Sequence, residues 1–383
     1  MDNSIAQNTS IMNNDMVKLA FIGAGGVNFG GAEGPWDHAS RFETIAGVEF
    51  VGVADVDVLR ASNALAMRQA GPYQKVWATC QVFADWRQMI AKIRPNAVVI
   101  GLQPDKHGQS DPPHDVEVTL AKHGIAMLIE KPLGMTPPNK LNEVAYALEK
   151  SDSIISVGYM FRYAEAITKM RQVLKDTPSG PCVFLGRYNC AYSTINRIAW
   201  WDKRRSGGPI IEQATHFLDL ARFICGEVDL DSIQVTTIDA ANPMGQLSAM
   251  PKDSTDTEVD RNVPSTAKIP RTTLAQWCFS TGAVGSLAHG LLLHQQRYEA
   301  SLEVWADGVH CVLTNPYQMC RLGIRRSGLE ETDWQDFDDD PYLAEDIAFI
   351  TAVREGSTQL VRSTYADAMK THRLSWTISD QSG

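Results

Sequence analysis

Two short stretches of the chain hold the side chains best suited to moving a proton. The first is Glu130-Lys131-Pro132-Leu133-Gly134, directly after an apolar run at 126–129. A lysine fixed between a strand end and a proline can donate a hydrogen bond to a reacting oxygen and stabilise the negative charge that develops there. The second is Gly207-Gly208-Pro209-Ile210-Ile211-Glu212-Gln213-Ala214-Thr215-His216-Phe217-Leu218-Asp219. Glu212 and His216 are four residues apart, and His216 and Asp219 three, so on one helix all three lie on or near one face. A histidine titrates near neutral pH and suits acid–base work, and a neighbouring carboxylate would orient its ring. Lys131, His216 and Glu212 are therefore the candidate catalytic residues.

A third stretch, Phe21-Ile22-Gly23-Ala24-Gly25-Gly26-Val27-Asn28, follows another strand-like run. A tight glycine turn between a strand and a helix brings bare backbone and a helix N-terminus to a pyrophosphate. Gly23 and Gly25 occupy the first two glycine positions, with Gly26, Val27 and Asn28 completing the candidate cradle. Asn28 stands where the third glycine or alanine belongs, and the glycine-rich insertion 29–36 is unusually long for this loop. Asp55 ends the second strand-like run, where a carboxylate can accept from ribose hydroxyls. An acid there favours NAD; Arg60 softens the preference, leaving NADP as the alternative. Gln103 and Pro104, just past a third run, border the same crevice. Beside an oxidised nicotinamide ring, Lys131 would have its pKa lowered by like charge and burial.

These residues need a scaffold. Apolar runs at 19–23, 48–54, 97–102, 126–129 and 154–157 alternate with amphipathic stretches at 58–69, 86–93, 116–122 and 139–149. That alternation predicts a doubly wound parallel sheet, an α/β Rossmann fold, over 17–158. The remainder, 159–383, reads as an α+β unit with an open, mostly antiparallel sheet. It has helices at 161–175, 210–225, 344–354 and 366–376. Its strands run at 232–238, 273–279, 283–292, 300–306, 309–314 and 318–322, with turn signals at Ser280–Gly282 and Asp307-Gly308. The last helix is placed to pack back on the first unit. Residues 1–16 read as a frayed tail, and 242–271 as a long loop, a lid or an interface arm.

The chain has 383 residues, of which 44% are hydrophobic and 21% charged, and a formal net charge of −10. These values fit a two-part globular protein. With no Lys/Arg run and no apolar run of membrane-spanning length, nucleic acid and membranes are excluded as expected partners. Seven scattered cysteines, none in C-x-x-C spacing, read as reduced thiols of a cytoplasmic protein. The nine histidines show no metal-ligand spacing, so no metal is expected.

Taken together, 22–26, Val53-Ala54-Asp55, Glu130-Lys131-Pro132, Val157-Gly158-Tyr159-Met160-Phe161-Arg162-Tyr163, 207–219, Ser280-Thr281-Gly282-Ala283-Val284-Gly285-Ser286 and 349–356 resemble the glucose-fructose oxidoreductase / inositol dehydrogenase / rhizopine catabolism family. The resemblance spans about 17–376. It implies NAD(P)-dependent oxidation of a secondary alcohol on a sugar, cyclitol or related polyol, in a homodimer or homotetramer built on the second sheet. It implies Lys131 as the catalytic lysine and His216 as acid/base, with Glu212 where many members carry Asp. Glu130 and His114 fall on the cofactor side, although an insertion at 106–111 makes His107 a competitor; His38 reads as structural. Arg162, Tyr163, Tyr192, Trp200, Trp201 and Arg204, with His216, are the candidate substrate residues, because aromatic faces and arginine donors suit a hydroxylated ring. Two alternatives stay open: a redox-assisted glycoside cleavage with tightly held NAD, and a non-enzymatic dinucleotide-binding regulator.

Overall fold

The computed structural model describes residues 16–31, 36–191, 198–245, 263–293 and 298–382. Six strands form the first sheet: β1 (Val17–Ile22), β2 (Val48–Ala54), β3 (Gln81–Phe83), β4 (Ala97–Ile100), β5 (Ala126–Ile129) and β6 (Ile155–Val157). Their order is β3-β2-β1-β4-β5-β6 and every pairing is parallel. Every residue of β4 and β5 is buried, because helices cover both faces. On one face Phe21, Phe50 and Trp77 stack, Phe50 and Trp77 at 3.8 Å between ring centroids. The strand order reverses between β1 and β4, so the ligand crevice of such a sheet opens at the carboxyl ends of these two strands.

The glycine turn sits at that point. Gly23 has φ +94°, and a Cβ there would meet the Gly101 carbonyl oxygen at 2.4 Å, so only glycine fits. The helix that follows is a single turn, Gly26–Phe29, ended by Gly30 at φ +83°. The insertion between β1 and β2 then forms a second short helix, His38–Phe42.

The second sheet has eight strands: β7 (Pro181–Ala191), β8 (Val228–Ile238), β9 (Thr272–Phe279), β10 (Val284–Leu293), β11 (Tyr298–Ala306), β12 (Val309–Thr314), β13 (Cys320–Arg326) and β14 (Asp333–Phe337). The order is β14-β13-β12-β11-β7-β10-β9-β8, antiparallel throughout except for β10 against β7. Helices Glu165–Lys175, Thr215–Cys225 and Tyr365–Gln381 cover its inner face. Helix Tyr365–Gln381 is buried on both units: Leu374 and Ile378 join the core under the second sheet, and Tyr365, Ala368 and Met369 that of the first. Phe349 and Ile350 of helix Pro341–Glu355 complete the other face of the first sheet.

Two expectations change. The helix expected at 210–225 is two helices, Pro209–Glu212 and Thr215–Cys225, broken at Gln213 and Ala214. Strand β7, the centre of the second sheet, was not expected at all, and neither were β3 or β14. Of the loop at 242–271, residues 246–262 lie outside the described residues. Among the described residues no helix is long and apolar enough to cross a membrane.

Candidate functional site

At the cofactor end, a Cβ on Gly25 would touch nothing within 4 Å, and one on Gly26 would meet only Trp36 Nε1, at 3.9 Å. This bare, open backbone at the end of β1 fits a pyrophosphate, with Val27 half-buried beside it. Asn28 is corrected: it is fully buried and turned inward, and its Nδ2 donates to the Gly23 carbonyl at 2.7 Å. Its amide takes the space a Cβ on Gly101 would fill, so the close approach that a third glycine usually allows is supplied by Gly101 instead. Asp55 is at the end of β2, but both its oxygens are engaged. Ala24 N–H donates at 2.7 Å, Asp57 N–H at 2.8 Å, and Arg60 bridges both oxygens at 3.2 and 2.6 Å. Burial alone would raise its pKa; the donors outweigh burial and hold it below the usual carboxylate range. Asp55 thus braces the glycine turn, and Arg60, half exposed, covers it toward solvent.

Gln103 is exposed and Pro104 half-buried at the end of β4, and His114 is half-buried in the next loop. Its competitor His107 is buried, with Nδ1 bonded to Glu117 at 2.6 Å. Glu130 is corrected. Its carboxylate faces the interior, where His38 Nε2 meets it at 2.9 Å and the Lys131 N–H donates at 3.2 Å. His38 Nδ1 meets Asp346 at 2.8 Å, so His38 ties the lysine segment to helix Pro341–Glu355. Burial opposes a charge on His38, but Asp346 and Glu130 overcome it and raise its pKa. Burial pushes Asp346 up to about 6.

Lys131 Nζ donates to the Glu212 carbonyl at 2.8 Å and stands 3.5 Å from Glu212 Oε1. Glu212 Oε2 accepts from Trp200 Nε1 at 3.0 Å. The two motif segments, 81 residues apart in sequence, therefore meet beyond the carboxyl end of β5. His216 lies among the edges of Tyr159, Phe161 and Tyr317, with centroids at 5.9, 5.6 and 6.4 Å. Burial, then the Lys131 charge, pushes its pKa well down, so the ring is neutral and can accept a proton. Asp219 does not orient it, and His216 Nδ1 has no partner. The Asp219 carboxylate is taken by Arg162 and Thr371.

The candidate substrate residues divide. Trp200 is at the site. Arg162 and Tyr163 are corrected: the buried Arg162 guanidinium is held by Asp219, Asp367 and the Arg362 carbonyl, and Tyr163 OH accepts from the Arg362 N–H. With its side chain 4% exposed, Arg162 turns these donors into the interior rather than toward a ligand. Trp201 is also corrected; it is 1% exposed in the core, beneath Arg271. Arg204 points outward and pairs with Asp202, the cap of its own helix. Tyr192 lies outside the described residues. Sequence reasoning missed a polar group on β7, β10, β11 and the loop before β13. Tyr188 stacks on His289 at 5.4 Å, and Tyr298 and Tyr317 pack against it. The signal was present: Phe184, Gly186, Tyr188 and Cys190 alternate along β7. Among the described residues no group of three or more metal-ligating side chains is gathered.

Three buried imidazoles predict acid lability. Burial lowers His216 well below 6.5, His289 to about 3 and His372 to about 4. Below pH 6.5 the unfolded chain binds more protons at these sites, so stability falls as pH drops from 6.5 toward 4. Asp346 and Glu345, raised by burial, and His38, raised by Asp346 and Glu130, oppose this; His38 does so least, because its ordinary value already lies between pH 5 and 7. The urea midpoint is expected to be lower at pH 5 than at pH 7; an equal or higher midpoint would refute the assignment.

Comparison with known proteins follows the same division. The model of the oxidoreductase family with an NAD-binding Rossmann fold, GFO_IDH_MocA, matches residues 17–159, and an oxidoreductase C-terminal domain model matches 162–309. An uncharacterised protein of Schizosaccharomyces pombe is 32% identical over 95% of this chain and 91% of its own. Inositol 2-dehydrogenase 4 of Saccharopolyspora erythraea is 23% identical over 65% of this chain and 63% of its own. Among solved structures, levoglucosan dehydrogenase in complex with NADH and levoglucosan superposes with a TM-score of 0.72. The two are 16% identical, and the match covers 95% of this chain and 96% of that one.

Proposed function

The chain belongs to the oxidoreductase family of glucose-fructose oxidoreductase, inositol dehydrogenase and rhizopine catabolism proteins, whose members use NAD(P), and from that premise we propose that it oxidises a ring carbinol of a sugar or cyclitol, or reduces the corresponding ketone. The observation that carries this reading is the contact of Lys131 with Glu212, which joins the lysine segment to the His216 helix beyond the ends of the parallel strands. Residues 17–158 hold the dinucleotide, NAD in the first instance, on Gly23, Gly25, Gly26 and Val27, with Asp55 and Arg60 at the adenosine end. Gln103, Pro104 and His114 border it, and 159–383 close over the substrate. Held there, a nicotinamide would supply the acceptor or donor of the hydride. Lys131 donates to the reacting oxygen, and the neutral His216 takes the hydroxyl proton in the oxidising direction. Glu212 holds the lysine in place and, with Trp200, lines the substrate side. The open face of the second sheet carries exposed Leu185, Leu274, Val284, Leu292 and Trp305, an apolar surface that suits pairing with a second copy, readable as a doubled mass in solution.

The test is absorbance of reduced nicotinamide on mixing the protein with NAD or NADP and a panel of sugars, cyclitols and glycosides. A substrate-dependent rise is expected. Glycoside cleavage without that rise would replace this reading with redox-assisted cleavage, and absence of dinucleotide binding would end it.

A further inference from the structure

Gln213 sits at the break between helices Pro209–Glu212 and Thr215–Cys225, one residue after the carbonyl that holds Lys131 Nζ. Its side-chain oxygen is occupied from the protein side. His289 Nε2 lies 3.0 Å from Gln213 Oε1, and the Cys190 thiol donates to the same oxygen at 3.4 Å. An amide oxygen only accepts, so His289 must carry its proton on Nε2 and donate. The same tautomer suits the other ring nitrogen: His289 Nδ1 is buried without a partner among the described residues, and an N–H there would go unsatisfied, whereas burial keeps the ring neutral with one proton to place. With the oxygen fixed, the orientation of the carboxamide is fixed, and its nitrogen is the opposite end. Gln213 is half-buried, and among the described residues nothing accepts from its Nε2; unlike the orphaned ring nitrogens of His216 and His289, this nitrogen is not shut off from solvent.

Two donors thus stand on one short segment, the Lys131 ammonium held at the Glu212 carbonyl and the Gln213 amide one residue on. We propose that Gln213 is a specificity-determining residue whose Nε2 donates to a second oxygen of the substrate ring, next to the oxygen that Lys131 holds, with His289 as the residue that positions it. The inference rests on the polyol dehydrogenase reading and narrows the substrate class to rings with a vicinal pair of oxygens, one reacting and one read. A ring with a lone hydroxyl would leave the amide unpaired when the cleft closes, which disfavours it.

The experiment compares wild type with Gln213→Ala, and with Gln213→Glu, which keeps the size but replaces the donor by an acceptor. The probes are inositol and levoglucosan, each beside its monodeoxy counterpart lacking a hydroxyl adjacent to the reacting carbon. Turnover is read with NAD, and binding is read by calorimetry on the NADH-loaded protein. Wild type is expected to prefer the intact ring by about tenfold, the value of one hydrogen bond to a neutral donor. In Gln213→Ala and Gln213→Glu that ratio should collapse toward one. His289→Phe should lower the same ratio with NADH affinity unchanged, which loss of fold alone would not do. The binding arm keeps this separable from the parent reading. If no probe is turned over but the intact rings still bind preferentially to wild type and not to Gln213→Ala, the role of Gln213 stands and the dehydrogenase assignment fails. If Gln213→Ala and Gln213→Glu keep the wild-type preference, the proposal is overturned.

Discussion

Replacing Lys131 by alanine is expected to lower kcat by about 10³-fold while NAD affinity changes by no more than a few-fold. The ammonium is the one cation placed by both motif segments, with Nζ 2.8 Å from the Glu212 carbonyl and its side chain 16% exposed. A donor partly shielded from water, aimed where an alkoxide develops, stabilises the transition state more than the ground state, so its loss falls on kcat more than on KM. NAD affinity is largely spared because the glycine turn and Asp55 belong to other strands. Lys131→Arg is expected to recover little, since the larger planar fork of a guanidinium would not set one donor at the Glu212 carbonyl and another at the reacting oxygen in the compact arrangement of the ammonium. Steady-state kinetics with fluorescence titration of NAD checks both halves. A variant within tenfold of wild-type kcat would remove Lys131 from the chemistry.

Lys131, Glu212 and His216 were readable because each sits in a short motif whose position relative to a strand or helix end is itself local. The parallel sheet was readable for a related reason: strands buried on both faces, such as β4 and β5, are continuous apolar runs. Strand β3 escaped because it is three residues long and largely uncovered. Strand β7 escaped because one of its faces is open, so Arg187 and Asn189 interrupt the apolar signal between Phe184 and Cys190. The periodicity over 210–225 was real but hid a break, since Ile210, Ile211, Ala214 and Phe217 remain buried across it. That break changes the local geometry: it puts Gln213 between the two helices, where its side-chain oxygen meets His289 and Cys190, and leaves the Asp219 carboxylate to Arg162 and Thr371 rather than to His216. The roles of Glu130 and Arg162 were not readable, because they are decided by partners far along the chain. His38 and Asp346 are 92 and 216 positions from Glu130, and Asp367 is 205 from Arg162. A motif shows which residue types are present; it does not show which of them a distant helix will neutralise.

Arg162 is where that difference should be largest in stability. Arg162→Ala is expected to destabilise the protein by about 3–5 kcal/mol, the loss typical when one partner of a buried ion pair is removed. Arg162 and Asp219 are 4% and 2% exposed at their side chains and joined through two hydrogen bonds of 2.7 and 2.6 Å. Removing the arginine leaves Asp219 to Thr371 and to Arg222, the latter 3.9 Å away and already committed to Glu227 and Asp367. Had Arg162 faced the substrate, the same change would have raised KM and left the unfolding midpoint almost untouched. The paired replacement Arg162→Met with Asp219→Leu separates the two explanations, because it removes both charges of the pair and keeps the volume; it should regain part of the lost stability, the rest being lost at Asp367, Thr371 and the Arg362 carbonyl, which lose a partner. Urea unfolding of the NAD-loaded protein, followed by both fluorescence and circular dichroism, provides the measurement. A loss below about 1 kcal/mol for Arg162→Ala, the scale of an exposed pair, would return Arg162 to the surface of the cleft. The ion pair clamps the Thr215–Cys225 helix to the Met160–Tyr163 turn and to helix Tyr365–Gln381, so the ring of His216 inherits its position from a buried ion pair that does not contact it.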